Sequence, residues 1–314
     1  MSIVLTGSLA FDHIMVFRDE FRNHILPEKV RMLNVAFNVD SLRREFGGTA
    51  GNIAYNLSLL GLRPTIVATV GHDFESYLKR IQEWGMETDC LLQLRDEHTA
   101  QAFIMTDVKD NQITAFHPGA MGRAHEQSLS VVSSEPNLVM ISPDDPKAMV
   151  SHVKYCQAQG WHFWFDPGQA MNALSGDELT ACIRGADGLV LNDYEWEMFQ
   201  QKTGLNLEMI LGVLPYVLVT KGHKGVEILS QEGVENVSAV SELNVLDPTG
   251  AGDAFRAGLL YGLQNGLGII ESCRYGCAVA SFAVEEKGTQ NHRFRIDDVE
   301  ERMVTSMSGL FLVM

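Results

Sequence analysis

Asp253 is the residue best placed to do chemistry in this chain, because it follows a glycine-rich turn in Leu246-Asp247-Pro248-Thr249-Gly250-Ala251-Gly252-Asp253-Ala254-Phe255. An extended stretch from Val237 to Leu246 leads into Asp-Pro, which disfavours helix at position 247, and Gly-Ala-Gly lets backbone N–H groups converge. Phe255, Leu259, Leu260 and Leu263 then recur at helical spacing. The turn therefore sits at a helix N-terminus, where unsatisfied N–H groups and the helix dipole favour an anion. A carboxylate there is unsuited to binding phosphate and suited to taking a proton from the group that attacks phosphate. The backbone N–H groups of Ala251, Gly252 and Asp253 would meet charge on a transferring phosphoryl group, and Gly250 and Gly252 permit a close approach. A helix cap with an acidic first turn is the plainer reading of the same residues.

A second block stands at Gly47-Gly48-Thr49-Ala50-Gly51-Asn52-Ile53-Ala54-Tyr55-Asn56-Leu57-Ser58-Leu59-Leu60-Gly61. In this order the two blocks resemble the N- and C-terminal signatures of the PfkB/ribokinase carbohydrate kinases; either diglycine alone would be a weak signal. The resemblance implies an α/β fold: a central, mostly parallel sheet flanked by helices, with a small β-sheet lid. It also implies ATP and Mg²⁺ as cofactors, Asp253 as catalytic base, and an anion hole at Gly250, Ala251 and Gly252. A monovalent cation is compatible with the family and is not specified by these residues.

The resemblance extends to further positions. Asp12 matches the family aspartate that accepts hydrogen bonds from vicinal sugar hydroxyls, and two carboxylate oxygens suit a cis-diol. Ser8, at the end of the first strand, and Gly47, Gly48 and Asn52 would belong to the same sugar site. Asn192-Asp193-Tyr194-Glu195 resembles the N-x-x-E motif. It implies Asn192 at the nucleotide phosphates and Glu195 organising Mg²⁺ through water; the same residues also read as an Asn cap with Glu three positions on. Val219-Thr220-Lys221-Gly222-His223-Lys224-Gly225 resembles the segment that passes beside ATP, which makes Thr220, Gly222 and Gly225 contacts. Asp166-Pro167-Gly168-Gln169 is another strand-end loop, and Gln169 is placed to read a substrate edge.

Substrate choice belongs to the lid and strand-end loops, where Phe11, Phe17, Phe37, Phe46, Phe103, Met105, Phe116 and Met121 stand. Most of these are expected to pack as the lid's own core or in a lid-to-lid dimer interface. The surplus, with Phe116 and Met121 foremost, favours flat apolar walls for a nucleobase over a polar ring for a free sugar. Thr6 to His13, Phe116 to Met121, Asn192 to Glu197 and Asp247 to Gly258 together resemble the bacterial adenosine kinases of this superfamily. That resemblance implies phosphorylation of the adenosine 5′-hydroxyl. A fructokinase- or ribokinase-type sugar kinase is the alternative, and a non-catalytic binding protein would have no need of Asp253.

The 314 residues carry a formal net charge of −16, with 46% hydrophobic and 20% charged residues. This balance excludes a general nucleic-acid or anionic-membrane surface, so the partners are small molecules. Without a leader-like N-terminus or an apolar run of about 18 residues, a cytoplasmic protein is expected. The five scattered cysteines read as reduced thiols. No Gly-Lys dipeptide occurs, which removes a Walker A loop, and Phe255 stands where a dinucleotide fingerprint beginning at Gly250 would need its third glycine.

These residues require elements to position them. Ile3 to Leu5 reads as a buried strand, and from Asn52 onward helix and strand alternate: helices at 52–60, 73–84, 146–159, 176–184 and 194–203, strands at 63–70, 137–141, 161–165, 188–191 and 216–220. Residues 226–229 and 234–240 read as a hairpin, and 310–314 as a packed strand or an apolar tail. Short β-like runs at 14–17 and 35–39, with a second β excursion at 99–113 turning at Lys109-Asp110-Asn111, imply the lid. The division is then a core of 1–12, 47–96 and 121–314 and a lid of 13–46 and 97–120. Lid strands expose edges, so a homodimer by edge pairing or lid clasping is expected.

Overall fold

A strand covered by helices on both faces must be apolar at every position, and the core strands show this directly. Ile3 and Leu5 of β1 (Ile3–Thr6) join one buried cluster while Val4 joins the other. Val190 of β10 (Gly188–Asn192) is likewise separated from Leu189 and Leu191. The computed structural model describes residues 2–25, 35–109, 111–241 and 243–310, with side chains described as far as residue 305.

The large sheet adds β4 (Thr65–Gly71), β5 (Leu91–Leu94), β8 (Leu138–Ile141), β9 (Phe163–Phe165), β11 (Val217–Thr220), β12 (Val226–Ser230) and β13 (Gly233–Val237). Its order is β13-β12-β11-β10-β9-β8-β1-β4-β5, parallel from β11 to β5, with β12 and β13 antiparallel at one edge. One face is covered by α1 (Thr49–Leu59), α2 (Glu75–Glu83), α7 (Ala251–Gln264), α8 (Ile269–Val284) and α9 (Ile296–Leu310). The other carries α3 (Pro146–Gln159), α4 (Gly176–Cys182), α5 (Asp193–Thr203) and α6 (Leu207–Leu211). Cys273 and Cys277 lie in the first core cluster, and all five cysteines are free thiols.

The lid is a four-stranded sheet, β3-β2-β6-β7, built from β2 (Ala10–Val16), β3 (Ser41–Gly47), β6 (Ala100–Thr106) and β7 (Gln112–His117). It starts at Ala10 rather than after Asp12, because Ala10, Phe11 and Asp12 already pair with Gly47, Phe46 and Glu45. The run Val35–Val39 forms no strand. Phe37 is instead anchored by ring contacts at 5.0 Å from Phe17 and 5.3 Å from Phe21, and the neighbouring strand is the polar segment Ser-Leu-Arg-Arg-Glu-Phe-Gly. In the loop between β6 and β7, the Asp107 carboxylate accepts the N–H groups of Lys109 (2.8 Å) and Asn111 (3.0 Å); Asp110 lies outside the described residues.

Three other expectations change. Described residues from 238 to 246 are irregular rather than a strand, and β5, which the sequence pattern did not reveal, occupies the sheet edge beside β4. Leu310 ends α9, while the rest of the terminal apolar run, 311–314, lies outside the described residues.

Candidate active site

Gly250 has φ +81°, a left-handed conformation open to glycine, and from it the chain enters α7. The Ala251 N–H donates to the Pro248 carbonyl at 3.2 Å. Among the described residues the Gly252 and Asp253 N–H groups have no protein acceptor, so two donors, not three, are free to meet an anion at this turn. Asp253 stands in the first turn beside them. The Asn52 side-chain amide donates to Asp253 Oδ2 at 2.8 Å, and burial pushes the Asp253 carboxyl up to about 6, Asn52 and Arg256 opposing the rise.

Asn52 Oδ1 also accepts from Gln290 Nε2 at 3.0 Å. Its side chain therefore orients the Asp253 carboxyl as well as facing the cleft. Gln290 also donates to the Tyr77 hydroxyl at 2.6 Å, and Tyr77 donates to the Gly47 carbonyl at 2.8 Å, which ties the Asp253 turn to the end of β3. Arg256, one helical turn beyond Asp253, forms a bidentate pair with buried Asp166 through Nε–Oδ2 and Nη2–Oδ1, and its Nη1 donates to the Gly252 carbonyl at 2.9 Å. The turn that presents the free N–H groups is therefore held by a buried cation. Sequence reasoning did not single out Arg256 or Gln290. The i, i+3 spacing from Asp253 was a usable signal for Arg256, whereas Gln290 is 238 residues from Asn52 and leaves no local trace.

Asp12 lies in β2, and its carboxylate accepts no hydrogen bond from the described residues. Burial, with Glu45 across the strand pair adding repulsion, pushes its carboxyl up to about 6. Gly47 packs directly on this carboxylate, and any side chain there would overlap it. Gly48, at φ +87°, passes so close to the Ser8 backbone that a Cβ has no room.

A cavity of about 1030 Å³ brings together Ser8, Asp12, Gly48, Asn52, Phe116, Met121, Gln169, Asn192, Glu195, Thr220, Gly222, Gly250, Gly252 and Asp253. Gly47 does not line it and acts from behind Asp12. A second, largely apolar cavity of about 530 Å³, with Val240, Leu243, Val245 and Phe255 in its walls, holds Gly225 and Ala251. Thr220, Gly222 and Gly252 line both cavities, so they form one continuous trough. The irregular residues after β13 form part of the wall of the second cavity.

Asn192 and Glu195 form a reciprocal capping box: the Glu195 N–H donates to Asn192 Oδ1 at 2.8 Å, and the Asn192 N–H to Glu195 Oε2 at 2.9 Å. Burial raises the Glu195 carboxyl above the usual range. No group of three or more His, Cys, Asp or Glu able to hold a metal is present among the described residues. A Mg²⁺ bound by one carboxylate, water and nucleotide phosphates needs no such cluster, and the oxygen donors here fit that mode.

Among the aromatic and Met candidates, Phe116 and Met121 line the cleft and the others do not. Phe11 and Phe46 pack with Tyr77 at 5.8 and 4.9 Å, Phe17 stacks on Phe21 at 5.8 Å, and Phe103 stacks on His13 at 4.7 Å.

A strand-built lid over a mostly parallel core, with a carboxylate at a glycine-opened helix start, defines a class: ribokinase-like phosphotransferases that move a phosphoryl group from ATP to an alcohol. The chain belongs to the pfkB family carbohydrate kinases, whose family model matches residues 8–294. It is 31% identical over 304 residues to a nucleoside kinase of Methanocaldococcus jannaschii, covering 96% of each chain. It is similar to the solved Burkholderia thailandensis nucleoside kinase in complex with inosine: 36% identity, TM-score 0.88, 98% of each chain covered. The same Burkholderia enzyme in complex with ADP-inosine matches at 37% identity and TM-score 0.85, over 98% of this chain and 96% of that one. No helix among the described residues is long and apolar enough to cross a membrane.

Proposed function

We propose that this chain is a nucleoside kinase that transfers the γ-phosphoryl group of ATP to the 5′-hydroxyl of a purine nucleoside, adenosine and inosine among them. The observation that carries this reading is the continuous trough, with Gly252 lining both of its halves and Asp253 next to it on the wall of the larger one. The adenine of ATP occupies the apolar half, and its phosphates run past Thr220 and Gly222 to Gly252. Asp12 accepts hydrogen bonds from the ribose diol, and Phe116 and Met121 cover the base. Asp253 takes the 5′-oxygen's proton as the bond to phosphorus forms and the bond to the ADP oxygen breaks. The Gly252 and Asp253 N–H groups meet the charge on the transferring group. Mg²⁺, organised by Glu195 through water, neutralises phosphate charge when bound.

Phe116 and Met121 in the cleft lining and the nucleoside kinases among its relatives support a nucleoside over a free sugar. Product analysis by phosphorus NMR tests the reading, with adenosine, inosine, fructose and ribose as acceptors. Nucleoside 5′-phosphates are expected; turnover confined to fructose or ribose would replace the reading with a sugar kinase.

The lid's strand periodicity supports a homodimer as well. Asp12, Ala102, Ile104, Thr114 and Phe116 face the cleft, while Leu42, Phe103 and Ile113 lie on the opposite face and are 65%, 39% and 40% exposed. Light scattering should report two copies, and Leu42→Asp with Phe103→Asp should shift the protein to monomer.

A further inference from the structure

Asp144 is a cleft carboxyl that neither the ribose site nor phosphoryl transfer uses. It follows β8 in Ser142-Pro143-Asp144-Asp145-Pro146, is 4% exposed and lines the larger cavity. Its Oδ1 accepts the Asp145 N–H at 2.8 Å, and its Oδ2 has no protein partner among the described residues. Strand order fixes its place in the trough. Along the carboxyl ends of the parallel strands come Thr220 of β11, Asn192 of β10, Asp166 after β9, Asp144 after β8 and Ser8 after β1. Asp144 therefore stands on the acceptor side of the Asp166–Arg256 pair. Met121, Pro146 and Gln169 line the cavity with it, and the His125–Asp145 contact at 2.7 Å secures its loop.

We propose that Asp144, as a neutral carboxylic acid, reads the N1 and 6-position edge of the acceptor's purine base. The inference rests on the nucleoside reading and deepens it. A carboxylic acid places one O–H donor beside one acceptor oxygen. Adenine offers an acceptor at N1 beside a donor at its 6-amino group; hypoxanthine offers a donor at N1 beside an acceptor at O6. Moving the acid's proton from one oxygen to the other exchanges the pattern, so the same side chain serves both bases without moving either. An ionised carboxylate offers acceptors only and leaves adenine N1 or hypoxanthine O6 facing a negative charge. Burial favours the neutral form, pushing this carboxyl up to about 8; the Asp145 N–H opposes the rise and the Asp145 charge adds to it. Asp145, with His125, is the charged group beside it, and the charged groups that share its cavity are Asp12, Asp193, Glu195, Asp253, and Asp166 paired with Arg256.

The test is kcat/KM for adenosine and inosine in Asp144→Asn and Asp144→Leu, each first shown to be folded by its thermal midpoint. In Asp144→Asn the Asp145 N–H fixes the amide oxygen as Oδ1; with the NH₂ facing position 1, it suits adenine N1 but meets the hypoxanthine N1–H donor to donor, while Oδ1 meets O6 acceptor to acceptor. Inosine should then lose at least about tenfold relative to adenosine, on the scale of one unmade hydrogen bond. Asp144→Leu should lower both nucleosides and return their ratio to near the wild-type value, leaving KM for ATP unchanged. In the wild type, kcat/KM for adenosine should fall as pH rises through about 8. An unchanged inosine-to-adenosine ratio in folded Asp144→Asn would overturn the assignment while leaving nucleoside turnover intact. Turnover of fructose or ribose alone by the wild type would instead overturn the nucleoside reading, and the inference with it.

Discussion

The floor of the trough and its roof are built on opposite plans. On the floor, Asp253, Asn52, Gln290, Arg256 and Asp166 have protein partners, and the Arg256–Asp166 pair is buried. On the roof every residue of β7 is exposed, Phe116 is 48% exposed, and the Asp12 carboxylate accepts no hydrogen bond from the described residues. The floor is preorganised before any ligand arrives, which is what stabilising charge in a transition state requires. On the proposed reading the cleft-facing roof residues Asp12 and Phe116 meet the acceptor, so changes to them should act on affinity and selectivity. Changes to the floor should act on kcat or on its pH dependence, and changes to the roof on KM.

The largest effect belongs to the floor. Asp253→Asn should lower kcat by roughly 10² to 10⁴ with little change in nucleoside binding, measured by steady-state kinetics and calorimetry. A rise in KM at constant kcat would erase the distinction between floor and roof. Asp12→Ala should raise KM for the nucleoside by about 10²-fold, through two lost charge-assisted hydrogen bonds, with kcat changed far less. Arg256→Met tests whether the buried cation tunes the base. Removing the guanidinium removes a charge that holds the Asp253 carboxyl down, so the acid limb of kcat should move to higher pH. Leaving Asp166 buried without its partner should also cost about 3–5 kcal/mol of stability, read by denaturant unfolding. The smallest effect is expected at the roof: Phe116→Ala should raise nucleoside KM by about threefold to tenfold, the worth of one aromatic contact, and leave KM for ATP unchanged.

The same division explains what was legible in the sequence. The floor is written in contiguous motifs because a glycine turn, a helix start and a base must be neighbours in the chain, so Gly250 to Asp253 and Asn192 to Glu195 could be placed from spacing. Core strands were legible because burial on both faces makes them continuous apolar runs. The lid was harder. Ser41–Gly47 pairs along its whole length with β2 yet has a polar sequence, while the apolar run Val35–Val39 folds as irregular chain around Phe37. Long-range partners left no mark either: Gln290 reaches Asn52 across 238 positions. Asn52, read as a sugar ligand, lines the cleft and also holds Asp253 and Gln290, a double engagement that no local spacing announces.

The most direct test of the preformed base is the pH dependence of kcat at saturating nucleoside and ATP. Asp12 and Asp253 are both pushed up to about 6, but Asp12 is covered by the bound ribose, so kcat isolates Asp253. The carboxylate is the working form, and its raised pKa means activity is lost as pH falls. The wild type should therefore show a level kcat above about pH 6 and a unit-slope decline below it. The residual rate of Asp253→Asn should lack that limb. A variant that turns over at the wild-type rate, or keeps the same acid limb, would contradict the assignment of Asp253 as the base.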